Sequence, residues 1–514
     1  MDSIQLSLFA SRIAAVCDEM GVMLRCAALS PNIKDRLDFS CAVFDTNGGL
    51  CAQAAHIPVH LGSMAYAMAG IVGHLNWSPG DMVIVNDPFL GGTHLPDVTL
   101  IAPVFVAQQR VAFVVNRAHH ADIGASTPGS MPISRSLDEE GVIIPPTHLL
   151  RGGSLDQSFF DGIVTTMGDV EQSRGDFSAQ ISANHVGVQR LLTLIEGLGV
   201  CGFDAALAQL NGYGERLAAS ALIQIPDGEY AFTDLMDDDG VGGFDIPLRV
   251  LLTIRQGRVH VDFSGTAGQV QGNINCPLSV AAAAVYYVFR CLMPTQTPAC
   301  AGTFRDITLS APEGSLVNAQ RPAAVAAGNV ETSSRIVDLI MGALARAIPE
   351  QIPAASHGTM NNVAMGSRRG ARAWDYYETL GGGMGAGSQG GGLSAVQTHM
   401  TNTLNTPVES LEMHYPLRIH RYQVRRGSGG AGLYSGGDGL IREFEFLAPT
   451  VVTLLTERRV HAPWGLAGGL FGQVGINRLN GQVLPGKVCF EAQSGDRLSV
   501  ATPGGGGWGV FETG

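Results

Sequence analysis

The chain has 514 residues, 45% hydrophobic and 15% charged, with a net charge of -13, enough material for two or three domains with substantial cores. This acidic balance argues against non-specific nucleic-acid binding. No apolar run reaches membrane-spanning length, and the N-terminus has acidic residues and helical spacing where a signal peptide has a basic start and an apolar run.

In chain order, apolar residues at helical spacing predict a helix over 4–26, ended by Pro31-Asn32. Residues 38–44 read as a strand, 46–49 as a tight turn and 50–53 as the returning strand. The segment HIPVHLGSM, with His56 and His60, precedes a helix predicted over 63–74, and a strand follows at 82–86. After two strands within 98–116, a polar, proline-rich section through Arg151 reads as a long loop that can cover a site. Helices are predicted over 176–198 and 204–221, strands from Gly228 onward, and helices again over 277–290 and near 333–347. The C-terminal third reads as glycine-punctuated β structure. Glycine makes up 67 of the 514 residues, well above the usual share of about 7%, and clusters in GGGMGAGSQGGG, GSGGAGLYSGGDG and PGGGGWG as turns and close-approach loops. The expected fold is mixed α+β, with multi-layer β-sheets, packed helices and a Gly-rich, mainly β C-terminal part, divided into regions 1–225, 226–425 and 426–514. Nine scattered cysteines without a CxxC pair fit reduced thiols in a cytoplasm. The low charged fraction fits burial in an oligomer.

One stretch concentrates chemistry. Residues 83–129 carry His94, Asp97, His119, His120 and Asp122 around the two strands. Folded about Gln108, this hairpin sets Asp97 opposite His119; with Gln108-Gln109 as a two-residue loop, Asp97 meets His120 instead. Either register opposes a carboxylate and an imidazole with β-carbons about 5 Å apart. Pro96 extends Leu95, so the His94–Asp97 spacing is that of a loop entering a strand. Imidazole with carboxylate suits a divalent ion such as Zn, Mn or Fe.

Other polar segments are GNVETS, GTMNN and HMTNTLNTPVE, the last holding His399, Asn402, Asn405 and Glu409. Asn329, Glu331, Asn361 and Asn405 are the candidates here for substrate contact, although such groups also satisfy backbone in irregular turns. The acidic run 237–239 reads as a turn between strands. No GxSxG, HExxH, Walker A or Rossmann motif occurs, so any nucleotide chemistry falls to another subunit.

The ordered set RLDFSCAVFD, GDMVIVNDPFLGGTHLPDVTL, NRAHHADIG, DFSGT, GNINCPL, AAGNVETS, YYETLGGGMGA, HMTNTLNTPVE and TPGGGGWG resembles the hydantoinase B/oxoprolinase family over about residues 8–508. That resemblance implies a hydrolase acting on cyclic amides such as hydantoin, 5-oxoproline or lactams. It would work in a cytoplasmic hetero-oligomer with a hydantoinase A-type subunit that uses ATP with Mg. Related, longer subunits serve ATP-dependent ketone carboxylases. The resemblance puts metal ligands at His94, Asp97 and His119, with Asp38 joining them, and leaves His120 and Asp122 for acid-base roles.

Overall fold

The computed structural model describes residues 1–54, 56–368 and 373–510. Helix α1 (Ser3–Ala27) begins at a capping box, in which Asp2 accepts from the Gln5 backbone and the Gln5 side chain returns to Asp2. Its buried stripe, Phe9, Ile13, Val16, Met20 and Leu24, packs against α5 (Val170–Leu198). A single turn, α2 (Pro31–Lys34), follows.

A seven-stranded antiparallel sheet occupies the first part of the chain. Its strands are β1 (Phe39–Phe44), β2 (Leu50–Gln53), β3 (Met82–Val85), β4 (Asp97–Val106), β5 (Gln109–His119), β6 (Thr147–Arg151) and β7 (Ser154–Leu155), in the order β2-β1-β5-β4-β3-β6-β7. The central strands are apolar throughout because both faces are covered. Val98, Leu100 and Val104 join the core under α1 and α5, while Ile101, Phe113 and Val115 join that under α3 (Pro58–Val72). Alternation along the pleat sets this division. Two expectations change. The section 129–151 ends in an edge strand rather than staying a loop, and α3 begins at Pro58, five residues before the predicted start. Proline at the first helical position starts that helix, and its N-cap, Ile57, makes no side-chain cap.

Helices α4 (Gln157–Val164), α5 and α6 (Val200–Leu222) lead to a second sheet. Its strands β8 (Gly228–Asp238), β9 (Phe244–Arg255), β10 (Arg258–Asp262) and β11 (Ile307–Ser310) run β11-β10-β9-β8. Helix α7 (Leu278–Cys291) lies between α3 and α8 (Ser333–Leu344), and α8 packs on β8 and β9. A π-helical turn, Gly328–Thr332, leads into α8; such turns recur at functional sites. A β-carbon on Gly328 would stand 1.8 Å from the Asn275 carbonyl oxygen, so only glycine lets this turn seat against residue 275.

Two further sheets complete the fold. Strands β12 (Asn362–Ser367), β13 (Trp374–Glu378), β16 (Thr450–Leu455) and β19 (Lys487–Ala492) run β13-β12-β16-β19. After α9 (Val408–His414), β14 (Leu417–Arg425), β15 (Gly439–Phe446), β17 (Ile476–Leu479), β18 (Gln482–Leu484) and β20 (Arg497–Ala501) run β14-β15-β20-β17-β18. The glycine clusters lie side by side as packed backbone: a β-carbon on Gly505 would fall 2.1 Å from the Met384 carbonyl oxygen. The architecture is the expected mixed α+β arrangement of several sheets with packed helices. No single helix among the described residues is long and apolar enough to cross a membrane.

Candidate metal centre

The hairpin reaches its register by a bulge. Its two-residue turn is Ala107-Gln108, with Ala107 at φ 52°, so Val106 faces Gln109 and Phe105 faces Arg110. Continued unchanged, that pairing would set Asp97 opposite Ala118. A register shift between Val104 and Phe105 leaves Val104 opposite Ala112 and brings Asp97 opposite His119. The first of the two sequence-level registers is therefore the one found.

His94, Asp97 and His119 converge, each offering one ligand atom within 4.8 Å of the others, and all three are buried. His94 Nδ1 lies 3.1 Å from the Ala326 carbonyl oxygen; donating there leaves Nε2 with its lone pair free. His119 stacks face to face on Tyr377, with ring centroids 4.5 Å apart, and its Nδ1 lies 3.2 Å from the Asn32 side-chain amide. Asp97 Oδ2 accepts from Thr93 at 2.6 Å and from Asn329 at 3.0 Å. His94 Nε2, His119 Nε2 and Asp97 Oδ1 are buried without a hydrogen-bond partner. Buried polar atoms are ordinarily satisfied, and two imidazole nitrogens with a carboxylate oxygen form a donor set for a divalent transition metal. The residues present fit such an ion.

The electrostatics agree. Burial drives His119 well below the ordinary imidazole range, with the charge of His94 adding to the effect, which keeps the ring neutral as a ligand must be. Burial opposes ionisation of Asp97, but His60 and His94 hold its carboxyl well below the usual carboxylate range. Burial likewise opposes protonation of His94, yet Asp97 outweighs it and raises the imidazole.

Sequence reasoning passed over His60. On the first turn of α3, its Nε2 lies 3.1 Å from Asp97 Oδ1 and 4.0 Å from Asp38 Oδ1. The sequence signal was the paired histidines of HIPVHLG, with Pro58 marking the helix start. Asp38 stands outside the three-residue group. Its carboxylate lies 3.8 Å from Arg36, and its carbonyl accepts from the His119 backbone at 3.0 Å.

His120 and Asp122 do not reach the cluster. Alternation sends His120 to the opposite face from His119, where it stacks on Phe177 and its Nε2 meets Gln180 Oε1 at 3.0 Å. Asp122 accepts from the Gly124 and Gly168 backbones and pairs with Arg368 at 3.2 Å. Asn329 contacts Asp97, as above. Glu331 accepts from the Met360 backbone and from Asn362, whose oxygen in turn accepts from the Tyr377 hydroxyl at 2.6 Å. Asn361, at φ 48°, bridges Arg459 and the Leu380 carbonyl. Asn405 is tied to Glu378, Thr379 and Tyr422. The last two thus serve local structure.

Glu140 supports the site from behind. It accepts from Ser134 and from the Val325 and Ala326 backbones, fixing the carbonyl that meets His94. Burial pushes its carboxyl up to about 7 against those hydrogen bonds. With the folded value above the unfolded one, the native state binds more protons between them, so this group's contribution to stability falls as pH rises from about 4.5 through 7. Glu140→Gln is expected to flatten that part of the pH slope, measured by urea unfolding at pH 5 and pH 8. An unchanged slope would put the titration elsewhere.

Comparison with known proteins gives one consistent result. A family model described as hydantoinase B/oxoprolinase matches residues 2–510. The chain is 38% identical to 5-oxoprolinase 1 of Arabidopsis thaliana over 545 residues, covering 99% of this chain but 42% of that one; it spans about two fifths of the plant protein's length. It is 32% identical to the B component of a putative D-/L-hydantoinase of Pseudomonas sp. (strain NS671), covering 99% of this chain and 90% of that one. Among solved structures, the ATP-dependent caprolactamase of Pseudomonas jessenii superposes with a TM-score of 0.92 at 28% identity, covering 99% and 91% of the two chains. An acetone carboxylase shares the fold, with a TM-score of 0.89 at 17% identity over 99% of this chain and 76% of that one.

Proposed function

The chain belongs to the hydantoinase B/oxoprolinase family, and on that footing we propose that it is the metal-holding subunit of an ATP-dependent enzyme that opens cyclic amides. The observation that carries this reading is the trio of buried, unsatisfied donor atoms on His94, Asp97 and His119. A subunit or region that uses ATP with Mg would supply the activation, because this chain contains no phosphate-binding loop motif. Two relatives, the hydantoinase component and the ATP-dependent caprolactamase, support that division of labour.

An amide carbon is a poor electrophile. Once its oxygen is phosphorylated, water attacks the carbon, and C–N cleavage requires that a proton be taken from the water and one be given to nitrogen. A divalent ion held by His94, Asp97 and His119 would supply Lewis-acid stabilisation of negative charge. His60, between the Asp97 and Asp38 carboxylates, is placed to carry the proton. Thr93 and Asn329 hold Asp97, Tyr377 holds the plane of His119, and burial excludes bulk water. His120 and Asp122 act through positioning: His120 ties the end of β5 to α5, and Asp122 braces the following loop.

His60→Gln is expected to lower turnover by roughly 10²–10⁴-fold while leaving metal content intact, read by metal analysis beside steady-state kinetics. Parallel loss of metal would instead make His60 a ligand. The reading as a whole is tested by co-producing the chain with an ATP-using partner and assaying ATP-dependent opening of hydantoin, 5-oxoproline and lactams. Bicarbonate-dependent carboxylation of a ketone, with no ring opened, would overturn it in favour of a carboxylase.

A further inference from the structure

A cavity of about 470 Å³ adjoins the metal centre without including its ligands, between Pro58 of α3, the C-terminal end of α7 and the segment 397–402. Its size is that of a small-molecule site. The Val59 backbone donates to the Met400 carbonyl at 3.2 Å, so the cavity wall is hydrogen-bonded to the turn that carries His60.

Two polar groups in the wall set its chemistry. Gln397 spends its Nε2 on Thr379, while its Oε1 is buried with no hydrogen-bond partner. His399 is 9% exposed and takes φ 60°, a left-handed conformation that non-glycine residues seldom hold without a functional reason. Its Nε2 lies 3.3 Å from Asp338 Oδ1, and the other Asp338 oxygen is fixed by Arg458 at 2.9 Å. A carboxylate at Nε2 assigns the proton there and leaves the Nδ1 lone pair as the ring's free acceptor. Gln397 and His399 are thus both acceptors, set beside an apolar wall of Val288, Leu292 and Met341.

We propose that this cavity is a nitrogen-recognition site, binding the N–H end of a small lactam or of the amino acid formed when it opens. The occupant's N–H groups donate to Gln397 Oε1 and His399 Nδ1, and its short hydrocarbon lies on the apolar wall. The inference rests on the cyclic-amide reading only for its choice of probes.

The test is calorimetric titration of the full chain, without ATP, against 6-aminohexanoate, caprolactam and hexanoate. The two nitrogen-bearing probes should bind, with hexanoate at least about tenfold weaker, because a buried acceptor left unpaired is costly. His399→Asn, which tolerates the left-handed backbone, and Gln397→Ala should each weaken binding about tenfold, while His94→Ala should leave it unchanged. If His399→Asn fails to fold, Gln397→Ala decides. Equal binding of hexanoate, indifference to Gln397→Ala, loss of binding in His94→Ala, or no binding of any probe would overturn the proposal. The titration involves no turnover, so its failure is separate from failure to open rings.

Discussion

Replacing His94 and His119 together by alanine is expected to remove the bound metal and lower turnover by roughly a thousandfold or more. The magnitude follows from the several kcal/mol of charge stabilisation that a catalytic ion contributes, each 1.36 kcal/mol being about tenfold in rate. The fold should survive, because neither Nε2 makes a hydrogen bond within the protein and the hairpin register depends on backbone pairing along β4 and β5. A second readout separates the metal from the chemistry. An ion that binds only the folded state stabilises it by about 2.7 kcal/mol at a hundredfold excess over its dissociation constant. A chelator should therefore lower the unfolding midpoint of the native chain and leave that of the double variant unmoved. Retention of both metal and activity would remove these residues from the site, and chelator sensitivity persisting in the double variant would put an ion elsewhere.

Legibility in the sequence followed separation along the chain. His94, Asp97 and His119 lie within one hairpin, so strand period and turn position sufficed to oppose a carboxylate and an imidazole. The choice between His119 and His120 turned on a bulge between Val104 and Phe105, which local pattern permits without specifying. Strand alternation does require that two adjacent histidines face opposite sides, and His120 indeed turns to Gln180 on α5. His60 was missed because α3 starts without a polar cap, so the helix was read as beginning after it. Asn329 stood out as a polar residue near a helix start. Its contact with Asp97, 232 positions away, and the stacking of Tyr377 on His119 depend on how separate sheets pack, which no local period encodes. The amphipathic helices and the glycine-rich β part were legible for the converse reason: each is a local pattern repeated over many residues.

The largest stability effect is expected at Glu457. This fully buried carboxylate accepts from Lys487 Nζ at 2.5 Å, from Arg335 Nη2 at 3.1 Å and from the Asp237 backbone at 2.9 Å, tying β19, α8 and β8 together. Burial pushes the Glu457 carboxyl up, and Lys487 opposes that. Glu457→Met should cost about 3–5 kcal/mol, since it leaves buried cations uncompensated. Lys487→Met should cost less, because Glu457 keeps Arg335 and the Asp237 amide. The two variants should also differ in pH dependence. In the native chain burial opposes protonation of Lys487, but Glu457 and Asp238 outweigh it and raise its pKa, so its contribution is lost only as pH rises through that raised value. Without Glu457, desolvation takes over and the folded value falls below the unfolded one. The unfolded state then binds more protons, and stability rises with pH. Arg335 cannot be relieved in this way, as guanidinium stays protonated. Urea unfolding of the two single variants and the double at pH 7 and pH 9.5 checks this: Glu457→Met should recover part of its loss at the higher pH, and the double should cost less than the sum of the singles. Equal costs for the two single variants, with no recovery at pH 9.5, would mean that Glu457 is not the group on which these cations depend.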